Sequence, residues 1–250
     1  MADLLLGGET ALVTGAGSGI GRGIARALAA EGARLMLVDV DAARVEPVAR
    51  ELGAEFTVAD LTQREKVGST FEVAIASLGR LSLLVHSASP PRRESQTALA
   101  VTEGEWDAMV DTNLRAGFFL GQLASKHMIA RKIRGRMLYV TSAHAHSPRN
   151  LPHYSAAKAG ETMVVKELAR ALGPHGIRVN AIAPGAIPGG GFAAEVTALE
   201  RMIPLGRTGT PEDVAAMAVA VLSERFGAYV TGTTIEVDGG LTLYNWIPRP

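Results

Sequence analysis

The octapeptide Thr14-Gly15-Ala16-Gly17-Ser18-Gly19-Ile20-Gly21 constrains this chain more than any other feature. It sits between a short apolar run at 11–14 and a segment with helical periodicity at 19–31. An apolar run, a glycine-rich turn and an amphipathic helix in that order predict a strand feeding a helix through a tight bend. The alternation then repeats along the chain. Apolar runs at 34–38, 55–58, 83–86, 137–141, 178–182 and 234–237 read as further buried strands, and helical periodicity appears at 42–52, 62–79, 103–132, 153–172 and 211–223. Strands that alternate with helices predict a parallel sheet with helices on both faces, because each right-handed crossover must cover the sheet. Seven strands and six crossovers use nearly all 250 residues. They leave no room for a separate substrate domain, so 1–250 is expected to form one domain.

Composition narrows the function classes. Hydrophobic residues make up 47% and charged residues 20%, which is ample material for a core. Lys+Arg and Asp+Glu are both 25, and this balance argues against a dedicated nucleic-acid binder. The chain has no cysteine, which excludes disulfides, a thiolate zinc site and a thiol nucleophile. Leu4-Leu5-Leu6 lacks a basic flank and a long apolar core, so no secretory signal is expected. No run approaches the roughly 18 apolar residues of a membrane span. The expectation is a cytoplasmic protein that binds neither membrane nor nucleic acid.

The glycine turn fits the pattern T-G-x-x-x-G-x-G. Its glycines let the backbone bend tightly and approach a pyrophosphate, and the following helix start offers unpaired N–H groups and a positive dipole end. Asp39 lies 18 residues beyond Gly21, at the end of the second apolar run. An acid about 20 residues on can accept hydrogen bonds from ribose hydroxyls and repels a 2′-phosphate. No Arg or Lys lies in Asp39-Val40-Asp41 or at Ser18, so NAD is favoured over NADP. The plainer role for Asp39 or Asp41 is to cap the next helix. Asp60-Leu61, after the third run, touches adenine or serves as an N-cap before Thr62.

About 140 residues after the glycine turn comes Tyr154-Ser155-Ala156-Ala157-Lys158. Residues four apart share one helix face, so the Tyr154 hydroxyl and the Lys158 ammonium can point into one cleft. An unperturbed tyrosine titrates at about 10, and a nearby fixed cation favours the phenolate a proton-transfer group needs.

The glycine turn, Asn113, Ser142 and Tyr154-x-x-x-Lys158, in this order and spacing, resemble the short-chain dehydrogenase/reductases along essentially the whole chain. The likeness extends to Asn180-Ala181-Ile182-Ala183-Pro184-Gly185 and to Val237-Asp238-Gly239-Gly240. It implies a Rossmann-type doubly wound α/β fold of seven parallel strands, order 3-2-1-4-5-6-7, and a homotetramer joined through the 103–132 and 153–172 helices. By the same resemblance Tyr154 gives or takes the proton on the substrate oxygen, and Lys158 binds the nicotinamide ribose and favours the phenolate. Ser142 bonds the carbonyl or hydroxyl. Asn113 holds a helix distortion and a water linking Lys158 to solvent. Gly15, Gly17, Ser18, Gly19, Ile20, Gly21, Asp39, Asp60, Leu61 and Ala88 belong to the cofactor site, as do Tyr154 and Lys158. Pro184, Gly185 and the backbone near Ile187 fix the carboxamide.

Three stretches depart from the family pattern. His86-Ser87-Ala88-Ser89 stands where Asn-Asn-Ala-Gly is usual; Ala88 is kept, while the asparagines that make polar strand-to-strand contacts are gone. Ser142 precedes Tyr154 by 12 residues, one fewer than is common, which a shorter loop accounts for. Thr141 is a rival hydroxyl, but strand alternation sends adjacent side chains to opposite faces. Ala186-Ile187-Pro188-Gly189 lacks the usual threonine, so backbone groups alone would hold the carboxamide.

Two long connections, 87–102 and 184–204, leave strand carboxyl ends, where open α/β sheets bind ligands. A substrate lid is expected within 185–210. His144, His146, Arg149, His153 and Arg92-Arg93 read first as solvated loop residues, with reception of an anionic or polyhydroxylated substrate as the alternative. No metal is assigned. The C-terminal stretch with Tyr244, Trp246 and Ile247 is apolar enough to pack on a neighbour.

The sequence thus predicts an NAD(H)-dependent oxidoreductase that interconverts a small-molecule secondary alcohol and a ketone. Rival readings are a 3-oxoacyl-carrier-protein reductase using NADPH, a sugar or polyol dehydrogenase, a nucleotide sensor without turnover, and a structural scaffold. Asp39 opposes the first and the last. The proton-handling set opposes the sensor, which only the altered 86–89 stretch favours.

Overall fold

The computed structural model describes residues 4–188 and 196–243. Its strands β1 (Thr10–Thr14), β2 (Arg34–Asp39), β3 (Glu55–Val58), β4 (Leu83–His86), β5 (Arg136–Val140), β6 (Arg178–Pro184) and β7 (Thr234–Val237) form one sheet. All neighbours are parallel, in the order β3-β2-β1-β4-β5-β6-β7. The order reverses between β1 and β4, so their carboxyl ends open a crevice where neighbouring connections leave in opposite directions.

Helices α1 (Gly19–Ala30), α2 (Ala42–Leu52) and α8 (Pro211–Leu222) cover one face; α3 (Arg64–Leu78), α5 (Gly117–Ala130) and α6 (Pro152–Leu172) cover the other. Two apolar layers result. Leu12 and Leu84 face the α3/α5/α6 layer, while Val13, Leu83 and Val85 face the α1/α8 layer. This division follows from the period of two along each strand, and continuous apolar runs are what a sheet buried on both faces requires.

The expected helix at 103–132 is not one helix. It consists of α4 (Glu103–Met109), a π-helical turn Val110–Ala116, and α5. Apolar periodicity reports which face of a helix is buried. It does not report a single turn of wider hydrogen bonding inside it. Start signals are clearer: Thr102 and Glu105 form a reciprocal cap on α4, and Thr210 and Asp213 do the same on α8. The segment at 62–79 begins as a helix only at Arg64, because Asp60 first accepts from the Thr62 backbone and hydroxyl at 3.0 and 2.7 Å. Two short helices, α7 (Val196–Glu200) and α9 (Glu224–Gly227), were not expected. They have too few turns to show a period.

The π-helical turn and α5 lie unusually close to the sheet. A Cβ on Gly117 would come 2.9 Å from the His86 ring, and one on Gly121 would meet the Tyr139 hydroxyl at 2.2 Å. Tyr139 is fully buried and its hydroxyl donates to the Gly117 carbonyl at 2.9 Å. These two glycines therefore bring the π turn, and Asn113 within it, against the ends of β4 and β5.

Candidate active site

A cleft of about 1180 Å³ opens along the carboxyl ends of the strands. One half is built on the glycine turn. Gly15 has φ +67°, and a Cβ there would strike the Ala88 backbone at 2.8 Å. A Cβ on Gly21 would lie 2.1 Å from the Gly15 carbonyl oxygen. The turn thus folds onto the start of α1 and leaves a backbone-lined cradle, as an elongated phosphate ester needs.

Asp39 is buried at the end of β2, and its Oδ2 accepts from the Gly17 backbone at 2.9 Å. It is not the cap of α2. That role falls to Asp41, which accepts from the Ala43 backbone at 2.9 Å. No cation flanks Asp39 in sequence, yet the fold brings Arg44 to the cleft wall, where its Nε pairs with Asp41 Oδ2 at 3.1 Å. Asp60 both lines the cleft and makes the turn before α3, so its two expected roles coexist. Ser18, Gly19, Ile20, Leu61, Ala88, Pro184, Gly185 and Ile187 also line the cleft. Gly17 contributes its N–H to Asp39 without lining it.

The other half is built on α6. Tyr154 and Lys158 both line the cleft, 5% and 2% exposed, with Lys158 Nζ 5.8 Å from the phenol ring centroid. Nζ donates to the Val140 carbonyl at 2.9 Å. Ser142 follows β5 and faces the same space; its Oγ accepts from the His144 backbone at 3.2 Å. Thr141 also lines the cleft, but its hydroxyl donates to the Ile182 carbonyl at 3.0 Å. Asn113 does not line the cleft. It sits fully buried in the π turn and its Nδ2 donates to the Met109 carbonyl at 2.9 Å. The Asn113 Oδ1 has no hydrogen-bond partner among the described residues.

The altered stretch after β4 proves to be a rebuilt junction. His86 is fully buried, and burial together with the Lys158 charge lowers its pKa to about 4. The neutral ring places its proton on Nε2, which reaches the Thr112 and Asn113 carbonyls, both at 3.1 Å. Nδ1 then accepts from the Thr14 hydroxyl at 3.0 Å. The Thr14 oxygen in turn accepts from the Ser87 and Ala88 backbones at 3.1 and 3.2 Å. One imidazole thereby ties β1, the loop after β4 and the π turn together. In sequence it read only as a loss.

The reading of the basic residues as solvated loop groups is corrected in part. Arg93 is exposed as expected, and Arg149 pairs with Glu94 at 2.9 Å. Arg92 and Arg149 nevertheless both line the cleft, and the Arg92 guanidinium carbon lies 4.4 Å from the Tyr154 ring centroid. His144 meets that ring edge-on at 5.7 Å. His153 is fully buried, and His146 lies 3.8 Å from Glu236. Met202 and Leu199 add apolar wall beside these groups. Gly185 packs against Asp238, so two stretches far apart in sequence meet at the cleft mouth. Part of the expected lid, 189–195, lies outside the described residues, as does the apolar C-terminal stretch with Tyr244, Trp246 and Ile247. Among the described residues no cluster of three or more His, Asp or Glu is placed to hold a metal, and no helix is long and apolar enough to cross a membrane.

A family profile described as enoyl-(acyl carrier protein) reductase matches residues 15–242. The chain is similar to 3beta-hydroxysteroid dehydrogenase 1 of Eggerthella lenta, with 39% identity over 96% of this chain and 95% of the relative. It is similar to the L-tagatose-forming galactitol 2-dehydrogenase of Cereibacter sphaeroides, with 35% identity over 96% and 97%. Among solved structures, 3-ketoacyl-(acyl-carrier-protein) reductase of Brucella melitensis, complexed with NADH, superposes with a TM-score of 0.89 at 34% identity, covering 95% of this chain and 99% of that one.

Proposed function

The chain belongs to the short-chain dehydrogenase/reductase family of oxidoreductases acting on hydroxyl groups, and from that premise we propose that it uses NAD(H) to interconvert a secondary alcohol and a ketone. The observation that carries this reading is the shared cleft of Tyr154, Lys158 and Ser142, continuous with the glycine cradle and Asp39.

The cradle fits a dinucleotide, because the positions where a Cβ would collide are glycines in the turn that must approach the pyrophosphate. Gly15 to Gly21 would hold the pyrophosphate and Asp39 the adenosine ribose. Lys158 would hold the nicotinamide ribose, while Pro184, Gly185 and the Ile187 backbone would hold the carboxamide. The nicotinamide supplies or accepts the hydride when bound. Everything else is done by the chain. Ser142 orients the substrate oxygen, Tyr154 gives it a proton during reduction or removes one during oxidation, and the apolar wall excludes water from the reacting carbon. Asn113 acts on Lys158 from the π turn, with its free Oδ1 as the acceptor a bridging water would use.

Arg92 favours substrates with a negative or strongly polar group on the far side of the reacting carbon, since its guanidinium faces Tyr154 and has no carboxylate partner among the described residues. Acidic and acyl-thioester substrates, as well as polyols, therefore belong in the first assay. A sensor without turnover is disfavoured, because the 86–89 stretch that supported it is a complete hydrogen-bonded junction. A homotetramer is supported by Trp106, Phe119 and Met163, apolar side chains left partly exposed on α4, α5 and α6.

The test is binding of NADH and NADPH followed by turnover on ketones, polyols, aldoses and 3-oxoacyl thioesters. Wild type should bind NADH more tightly than NADPH. Asp39→Ala should weaken NADH by about tenfold, the worth of one charge-assisted hydrogen bond pair, and lessen the discrimination against NADPH. An unchanged preference would remove Asp39 from the ribose site. Failure to bind either nucleotide would defeat the reading itself.

A further inference from the structure

Glu161 is a buried ionisable group beside Lys158 for which the reading above has no use. It lies one turn beyond Lys158 on α6 and is 1% exposed, with Oε2 at 2.7 Å from Nζ. Apart from that ion pair, neither carboxylate oxygen meets a hydrogen-bond donor among the described residues. Oε1 lies 3.8 Å from His86 Nε2, whose proton is already committed to the Thr112 and Asn113 carbonyls. A carboxylate with so little compensation is costly to bury. Burial accordingly raises its pKa to about 7, although Lys158 pulls the other way.

The pair also fixes where the ammonium points. An ammonium has three donors. One goes to the Val140 carbonyl and the Glu161 contact takes the direction of a second, leaving the third for the cleft. We propose that Glu161 is a positioning residue for Lys158, which orients the ammonium and, by gaining or losing a proton, switches the net charge of the pair bordering the nicotinamide half of the cleft. The inference rests on the cleft being a nicotinamide-cofactor site. With Glu161 ionised the pair is neutral; with Glu161 protonated it carries one positive charge. An oxidised nicotinamide ring is cationic and a reduced one is neutral, so the protonated pair opposes NAD⁺ and is nearly indifferent to NADH.

Tyr154 on α6 also faces the pair, with its ring centroid 5.8 Å from Nζ, and Tyr154→Phe removes its proton in the test below. His86 on β4 is neutral above about 4. The Tyr139 phenol on β5 is pushed up by burial and then by Glu161. Asp111 and Arg115 of the π turn lie 4.0 Å apart and face each other. Around Tyr154, the guanidinium of Arg92 is permanently charged, and burial lowers the pKa of His144.

The experiment measures NAD⁺ and NADH dissociation constants of the full chain across neutral pH, for wild type, Glu161→Gln, Tyr154→Phe and His144→Gln. In wild type the preference for NAD⁺ over NADH should rise about three- to tenfold as the pH passes upward through neutral, the effect of one charge at short range in a partly screened site. Tyr154→Phe and His144→Gln should keep this step and Glu161→Gln should abolish it. A merely structural Glu161 would alter both affinities together and leave the ratio independent of pH. A flat ratio in wild type, or a step that survives Glu161→Gln, would overturn the proposal. Loss of binding for both nucleotides would count against the cofactor reading instead. If Glu161→Gln does not fold, the infrared band of a protonated carboxyl decides in wild type: it should vanish across neutral pH, and its absence below neutral would overturn the proposal.

Discussion

Tyr154→Phe is expected to lower kcat by about 10³-fold or more while leaving NADH binding within about threefold of wild type, because positioned acid–base groups contribute roughly 10²–10⁴-fold and the proposed reaction passes its proton through the phenol. The geometry separates the two readouts. The Tyr154 ring is held between Arg92 at 4.4 Å and His144 at 5.7 Å, and both contacts are with the ring rather than the hydroxyl. Phenylalanine keeps the ring and those contacts. The cradle at Gly15 to Gly21 and the Asp39 carboxylate lie in the other half of the cleft and do not depend on the hydroxyl. Steady-state turnover on whichever substrate wild type accepts, with fluorescence titration of NADH, provides the check. Turnover that persists would pass the acid–base role to another group, with Ser142 and His144 nearest at hand.

The second large effect concerns acid stability. An unfolded histidine has a pKa of about 6.5, and folded His86 is lowered to about 4 by burial and by Lys158. Between those values the unfolded chain binds a proton that the folded chain refuses. The stability from His86 is therefore complete above 6.5 and is lost as the pH falls towards 4, up to roughly 3 kcal/mol at 1.36 kcal/mol per unit. Glu161 behaves in the opposite way. Its folded value is raised from 4.5 to about 7, so its contribution is complete below 4.5 and is lost as the pH rises through 7. In wild type the two slopes oppose each other between about 4.5 and 6.5. His86→Gln should leave only the Glu161 slope of this pair, so that stability rises on mild acidification by up to roughly 3 kcal/mol relative to the wild-type trend. Urea midpoints measured across that range test this. The slope is the readout, because losing the His86 hydrogen bonds lowers stability at every pH. A variant whose slope matches wild type would show that His86 is not held neutral.

These groups also mark where a sequence stops being readable. The strands could be placed to within a residue or two, and the inner ones are continuous apolar runs covered on both faces. The edge strands β3 and β7, expected to be buried, are instead exposed or half-buried and carry Glu55 and Glu236. That Tyr154 and Lys158 share one cleft was legible because helical spacing puts residues four apart on one face and the pair opens the helix after the fifth strand. Asp39 was legible because it ends a strand at a set distance from the glycine turn. Glu161 was not. A charged residue on an amphipathic helix ordinarily faces solvent, and its burial depends on β4 and the π turn packing over it. His86 was noticed only for what it replaced, since one of its three partners comes from β1 and two come from the π turn. Arg92 lies in a proline-bearing loop without period, and no local rule aims it at Tyr154. Arg44 lies outside the Asp39–Asp41 stretch that was read for a cation, and the first turn of α2 brings it to the cleft wall. The π turn left no trace in apolar periodicity, although the family resemblance anticipated a distortion at Asn113.

The bond from the Gly17 backbone to Asp39 has a consequence for how this protein can change over time. Asp39 is at once the expected discriminator between two cofactors and a strut under the turn that receives the pyrophosphate. A lineage drifting from one dinucleotide to the other that discards the acid also gives up a bond that holds the turn. Asparagine keeps an acceptor for Gly17 and drops the charge, at the cost of the bond that Oδ1 accepts from the Asp41 backbone at 3.2 Å. A positive residue can be recruited afterwards, and Arg44 is already close enough to serve once its hold on Asp41 is released. Cofactor choice in this scaffold is thus a two-step inheritance, with the loop's geometry setting the order of the steps.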